Sequence, residues 1–416
     1  MRPPGGTTTA ASGTEVVGIV GAGTMGAGIA QVCLQAGHSV RLHDVSPEAV
    51  ATGRARIADA LTRLVARGTL APAARAGAIR RLHDAPDLTA LVGGRGQAGR
   101  RGGGRPVDLV IEAAVEDLDL KREVFRALDS LVPATTILAT NTSALSIDAI
   151  AAATVHPERV LGLHFFNPAP RMALVEVVAG EQTAGVTMHA GLRFVAGLGK
   201  TPVECADAPG FIVNRVNRPF TLEALRLVEA GESDVPTVDA ALVAAGYPMG
   251  PFTLMDLVGL DVNYAVATAI WRAFDEAERF RPSPIQAALV EARTLGRKSG
   301  VGFYRYGPDG RQGGVAPLPS ALVGAGAAGD PLAADEIVAR LELALINEAY
   351  RAAGDGVADP PDIDVAMRLG AGHPHGPFER ARALGLGQVV RGLAVLERRY
   401  GARYRVAPAL WQIAAV

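Results

Sequence analysis

Cysteine is scarce: 416 residues hold only Cys33 and Cys205. That excludes a disulfide scaffold and a cysteine-based zinc site, no metal is expected, and a reducing compartment, the cytoplasm, fits. Net charge is also scarce. The 41 basic and 42 acidic residues leave −1, too little to hold nucleic acid by charge. No apolar run reaches the roughly 18 residues that span a bilayer, so no membrane partner is expected. The opening MRPPGGTTTAASG lacks the apolar stretch of a signal peptide, and 1–14 read as a disordered tail. Lysine is rarest of all: among the basic residues only Lys121, Lys200 and Lys298 are not arginine. In so biased a chain, a retained lysine points to a place where arginine would not serve.

Hydrophobic residues at 49% and charged residues at 20% indicate a packed globular chain. At roughly 100–200 residues per domain it holds two to four domains. Residues 14–20 (TEVVGIV) form a β-branched run that Gly21 breaks. A helical pattern follows over 25–35, ended by Gly37, and a second strand over 39–43 stops at Asp44. Helices are expected over 47–70 and 72–91, the latter broken near 83–86. Further strands fall at 107–113, 136–139, 160–166 and 174–178, with helices at 118–131 and 147–153. The alternation predicts a mostly parallel, doubly wound sheet over 15–207. The basic, low-complexity stretch 93–105 reads as a flexible insertion.

From 208 the pattern is helical only, and it repeats. Ile212, Val213, Arg215, Glu223, Asp239 and Gly250-Pro251-Phe252 recur as Ile337, Val338, Arg340, Glu348, Asp364 and Gly376-Pro377-Phe378, at an offset of 125 or 126. The first copy covers 208–306 and the second 331–416. The Gly/Ala/Pro-rich 307–330 between them reads as a linker.

Gly21-Ala22-Gly23-Thr24-Met25-Gly26 is G-x-G-x-x-G between a strand and a helix. Gly21 permits the turn, Gly23 lets backbone approach a pyrophosphate, and Gly26 allows close helix–strand packing. Asp44 ends the next strand, where a carboxylate accepts from both ribose hydroxyls and repels a 2′-phosphate. NAD is therefore expected, on a Rossmann-like sheet. Other polar residues gather at strand ends: Glu112, Glu116, Asn141-Thr142-Ser143, His164 and Asn167. If the strands flanking 167–173 pair antiparallel, residue i faces residue 340 − i, and His164 meets Glu176 with Cβ atoms about 5 Å apart. A buried carboxylate needs such a partner. The pair also makes a general base, the carboxylate fixing the imidazole tautomer.

The sequence resembles the 3-hydroxyacyl-CoA dehydrogenases over nearly its whole length. The resemblance rests on VGAGTMGAGIA, DLVIEAAVEDLDLK, NTSALSI, GLHFFNPAP, LVEVV, PGFIVNR, GYPMGPF and GRKSGVGFY. It implies that His164 is the general base with Glu176 as its partner, and that Ser143 and Asn214 contact the substrate oxygen at C3. It implies cofactor contacts from the glycine loop, Asp44, Glu116, Lys121, Ser143, Asn167 and Lys298. It implies an acyl-CoA substrate of 3-hydroxybutyryl-CoA or 3-hydroxyadipyl-CoA type, used in fatty-acid or aromatic-acid catabolism. Arg54, Arg56, Arg63 and Arg67 on one helix are candidates for CoA phosphates. One-copy members dimerise through the helical domain, so the second copy is expected to be non-catalytic and to form an internal pseudo-dimer; a homo-oligomer remains open. Two other readings also remain open: an L-gulonate 3-dehydrogenase-like enzyme, and a non-catalytic NAD-binding structural or sensor protein.

Overall fold

A computed structural model describes residues 14–93, 105–324 and 331–414. The expected tail up to residue 13, all of the glycine–arginine insertion but its end residues, and the end of the expected linker lie outside the described residues. The chain divides into two units, Met1–Asp207 and Ala208–Val416.

In the first unit, the β-branched run forms β1 (Val16–Val20). The glycine loop leads into α1 (Thr24–Gln35), and β2 (Ser39–His43) returns parallel to β1. Ser46 caps α2 (Pro47–Ala66), its hydroxyl accepting from the Ala49 amide. Such a cap contributes about 1 kcal/mol and fixes where the helix starts. Next come α3 (Pro72–Arg80), β3 (Leu82–Asp84), α4 (Leu88–Val92) and β4 (Leu109–Glu112). Asp117 caps α5 (Leu118–Leu131). The unit closes with β5 (Ile137–Thr140), α6 (Ile147–Ala151), β6 (Val160–Phe165), β7 (Leu174–Ala179), α7 (Gly185–Gly197) and β8 (Thr201–Ala206).

The eight strands lie in the order β3-β2-β1-β4-β5-β6-β7-β8. Only the β6–β7 pair is antiparallel. Strand order reverses between β1 and β4, so their carboxyl ends open a crevice. The central strands are buried on both faces, with Ile19, Leu42, Ile111, Leu163 and Val177 fully covered. Two edge strands were missed from sequence. The expected break at 83–86 is largely β3, whose Leu82 alone is buried. β8 alternates buried and exposed residues beside β7.

The second unit opens with α8 (Val213–Val216) and α9 (Arg218–Ala230). It continues with α10 (Val235–Ala244), α11 (Pro251–Val258), α12 (Leu260–Ala273) and α13 (Pro284–Glu291). It is not helical throughout. β9 (Tyr304–Tyr306) and β10 (Gln312–Val315) pair antiparallel, so part of the expected linker is structured. Asp256 anchors this ribbon by accepting from the Phe303 and Tyr304 amides, each at 2.9 Å, and from the Tyr306 hydroxyl at 3.0 Å.

The second copy then repeats the order with α14 (Ala334–Gly354), α15 (Pro360–Gly370), α16 (Pro377–Leu384), α17 (Leu386–Tyr400) and α18 (Pro408–Ala414). Asp239 and Asp364 play the same part in each copy, accepting from the Phe252 and Phe378 amides at 2.9 and 2.7 Å. A Cβ at Gly250 or Gly376 would lie 2.3 Å from that carboxyl carbon, so glycine is required there. Ion pairs cross between copies reciprocally. Arg215 Nε meets Glu348 Oε1 at 2.9 Å, and Arg340 Nε meets Glu223 Oε2 at 3.1 Å. Burial works against the Glu223 carboxylate, yet Arg226, Arg340 and Arg403 hold it down at about 2. Among the described residues, no single helix is long and apolar enough to cross a membrane.

Candidate active site

Gly21 has φ +97, and a Cβ there would lie 2.5 Å from the Ala113 carbonyl oxygen. At Gly26 a Cβ would lie 1.8 Å from the Gly21 carbonyl oxygen. Both positions are closed to any side chain. Gly23 differs: it is exposed, and a Cβ would meet nothing within 4 Å. It precedes α1, which has no side-chain cap and no acid in its first turn. Exposed Thr24 and half-buried Met25 follow it. A bare helix N-terminus beneath an open glycine suits a diphosphate. Asp44 lies beside it, Oδ2 accepting from the Ala22 amide at 2.8 Å and Oδ1 from the Ser46 amide at 3.2 Å. These residues fit a dinucleotide whose ribose hydroxyls donate to Asp44.

The β4 and β5 ends carry a layered polar cluster. Glu112 is fully buried. It accepts from Lys121 Nζ at 2.7 and 2.9 Å, Thr140 Oγ1 at 2.7 Å and the Ala114 amide at 2.6 Å. Glu112 is the internal counter-charge of Lys121. Lys121 is itself 1% exposed, with Glu116 Oε2 3.5 Å from its ammonium. Its place is behind the surface, holding Glu116. Glu116 stands at the edge and accepts from Thr142 Oγ1 at 2.6 Å, the Ser143 amide at 2.9 Å and Ser143 Oγ at 3.2 Å. Burial alone would raise its carboxyl, but the Thr142 hydroxyl, the Lys121 charge and the Ser143 donors outweigh that and hold it below its ordinary value. Thr140, which sequence reasoning passed over, and Thr142 of the strand-end cluster set this arrangement. Their signal was hydroxyls at a strand end facing two glutamates.

β6 and β7 place His164 opposite Glu176 in register. Nδ1 lies 2.6 Å from Glu176 Oε2, with the carboxylate fully buried and the histidine 6% exposed. An ionised carboxylate only accepts, so Nδ1 carries the proton and Nε2 presents the lone pair. The Phe166 ring packs against the imidazole, centroids 4.4 Å apart. Asn141 ties the neighbouring strand ends, its Oδ1 accepting from the Phe165 amide at 2.9 Å. Exposed Asn167 follows β6.

Asn214, on α8, and Lys298 belong to the second unit; Lys298 pairs with Asp261 and stays half-exposed. Arg63 and Arg67 are exposed at the end of α2, where cations also complement the helix dipole. Arg54 donates to the Leu82 carbonyl oxygen and pairs with Asp84 at 3.0 Å, bracing β3. Lys200 donates to the Met172 carbonyl oxygen at 2.6 Å, so each retained lysine has a specific partner.

The family model described as the 3-hydroxyacyl-CoA dehydrogenase NAD binding domain matches residues 16–208. The model of that family's C-terminal domain matches 210–306 and again 337–415. The chain belongs to the 3-hydroxyacyl-CoA dehydrogenase family. Its first unit is the family's NAD-binding domain. A 3-hydroxyadipyl-CoA dehydrogenase of Escherichia coli (strain K12) is 36% identical, over 94% of this chain and 95% of that protein. The mitochondrial hydroxyacyl-coenzyme A dehydrogenase of Sus scrofa is 40% identical over 72% of this chain and 95% of its own length. A crystal structure of 3-hydroxybutyryl-CoA dehydrogenase from Escherichia coli K12 superposes with a TM-score of 0.84 at 36% identity, over 97% of this chain and 99% of that one.

Proposed function

We propose that this chain oxidises an (S)-3-hydroxyacyl-CoA to the 3-oxoacyl-CoA with NAD, in the cytoplasm, as a step of fatty-acid or aromatic-acid catabolism. The observation that carries the reading is the buried His164–Glu176 pair, 2.6 Å across adjacent strands. His164 takes the hydroxyl proton at Nε2. Glu176 keeps the imidazole in the accepting tautomer and stabilises the imidazolium that forms. Bound NAD supplies the hydride acceptor. Ser143 and Asn214 donate to the oxygen on C3 as it becomes a carbonyl. Asp44 selects NAD over NADP by accepting from ribose hydroxyls. Glu116, Asn167 and Lys298 serve the cofactor, Lys121 acting through Glu116. Arg63 and Arg67 serve the phosphates of CoA.

The first helical copy serves catalysis, and the second stands where one-copy relatives place a dimer partner. Two features support this internal pseudo-dimer. The ion pairs between copies are reciprocal, as a two-fold contact requires. Ala339 occupies the aligned position of Asn214, so the second copy lacks the amide that would reach substrate. Consumption of NADH with acetoacetyl-CoA, set beside reduction of NAD with L-gulonate, tests the activity. Turnover of acetoacetyl-CoA alone is expected. Turnover of gulonate alone, or of neither, overturns it.

A further inference from the structure

Arg218 is 5% exposed, at the start of α9, yet among the described residues no carboxylate pairs with it. Its Nε has no hydrogen-bond partner, and Nη1 reaches only Asn263 Oδ1 at 3.5 Å. That same Oδ1 accepts from Gln286 Nε2 at 2.9 Å, and Gln286 Oε1 is also unsatisfied. Burial pulls the guanidinium down to about 10, which still leaves it charged at neutral pH. A buried, unpaired guanidinium is among the costlier groups to keep in a fold.

Packing does not require it. The aligned positions of the second copy are Leu343, Val389 and Leu410 in place of Arg218, Asn263 and Gln286, on helices of the same order. Leu343 and Val389 line an apolar cavity of about 470 Å³ with Ala339. The repeat thus builds the same order of helices with an apolar set, and only the copy that carries Asn214 keeps the polar one. Asn217, between α8 and α9, has φ −77 and ψ −10, so the helical course continues. Arg218 therefore follows Asn214 by four residues, one turn or about 5.4 Å along the axis.

We propose that Arg218 is a specificity-determining residue that receives the terminal carboxylate of a dicarboxylic 3-hydroxyacyl-CoA. This rests on Asn214 serving the C3 oxygen. Three carbon–carbon bonds of about 1.5 Å separate C3 from the carboxyl carbon of a six-carbon diacid, about 4 Å when extended, which falls within one helical turn. Arginine suits the task because its planar fork grips a carboxylate through two parallel hydrogen bonds.

The test compares kcat/KM for 3-hydroxyadipyl-CoA and 3-hydroxyhexanoyl-CoA, equal in length and different only in the terminal carboxylate. Wild type is expected to favour the diacid, and Arg218→Leu, which copies Leu343, to lower that ratio by roughly 10- to 100-fold. Arg218→Lys is expected to keep part of it. A structural role would depress both substrates alike and leave the ratio unchanged. Equal use of the two by wild type, or an unchanged ratio in Arg218→Leu, overturns the proposal while leaving the dehydrogenase reading intact. If neither compound is oxidised, that reading fails. Calorimetric titration with adipyl-CoA and hexanoyl-CoA then still decides Arg218: tighter adipyl-CoA binding that Arg218→Leu abolishes supports it, and equal binding refutes it.

Discussion

Glu176→Gln isolates the part of catalysis that belongs to the carboxylate. The side chain is fully buried and its oxygen lies 2.6 Å from His164 Nδ1, so little solvent screens the pair. A hydrogen bond to a charged group is worth about 1.5–3 kcal/mol, against about 1 kcal/mol for a neutral one. The difference, on the order of 1–2 kcal/mol, is the stabilisation that the imidazolium loses, and it corresponds to roughly a 10-fold loss of kcat. If the glutamine turns its NH₂ toward Nδ1, the ring is held in the wrong tautomer and the loss extends toward about 10⁴-fold. Because the amide has the same shape and removes a buried charge, thermal stability should shift little. Initial rates of (S)-3-hydroxyacyl-CoA oxidation at saturating NAD, taken beside thermal melts, measure both quantities. A variant that keeps kcat within about threefold of wild type, or one that loses stability and activity in parallel, refutes the catalytic role of the pair.

Asp44→Ala should weaken NAD use and relax discrimination against NADP; an unchanged NAD/NADP ratio of kcat/KM removes Asp44 from the ribose site. Gly23→Ala should fold normally, since a Cβ meets nothing there, yet bind NADH poorly in fluorescence titration. Gly26→Ala should fail at the folding step, because its Cβ would lie 1.8 Å from a carbonyl oxygen; melts that rank the two the other way contradict the division of roles. Deleting residues 331–416 strips Arg215 and Glu223 of buried partners. Breaking such a pair costs about 3–5 kcal/mol, and aggregation or new self-association is expected in light scattering. A truncated protein that remains monomeric and fully stable counts against the pseudo-dimer.

The cross-strand meeting of His164 and Glu176 was legible because strand periodicity is strict: once a short connection is assigned, register follows by arithmetic. The glycine loop and Asp44 were legible because strand, turn and helix each bring their own residue pattern. The repeat gave the order of the second unit from matched residues alone. What escaped were elements without a pattern of their own. β3 has three residues and one buried side chain, and its existence depends on β2 beside it. β10 is QGGV, which reads as linker until β9 and Asp256 hold it. Orientation escaped as well: Glu112 and Glu116 both flank the end of β4, and sequence does not say which turns inward to Lys121. Arg218 was visible only as a difference between copies, since arginine at a helix start is ordinary and only its burial without an acid is not.

The most direct measurement of the central claim is turnover by His164→Gln, with NADH affinity determined on the same preparation. His164 is buried on a sheet strand and faces Glu176, whereas the glycine loop and Asp44 follow β1 and β2. Its loss should therefore lower kcat for acetoacetyl-CoA by roughly 10²–10⁴-fold, the usual worth of a general acid–base group, while the Kd for NADH stays near the wild-type value. Near-normal turnover in the folded variant contradicts the assignment of His164 as the base.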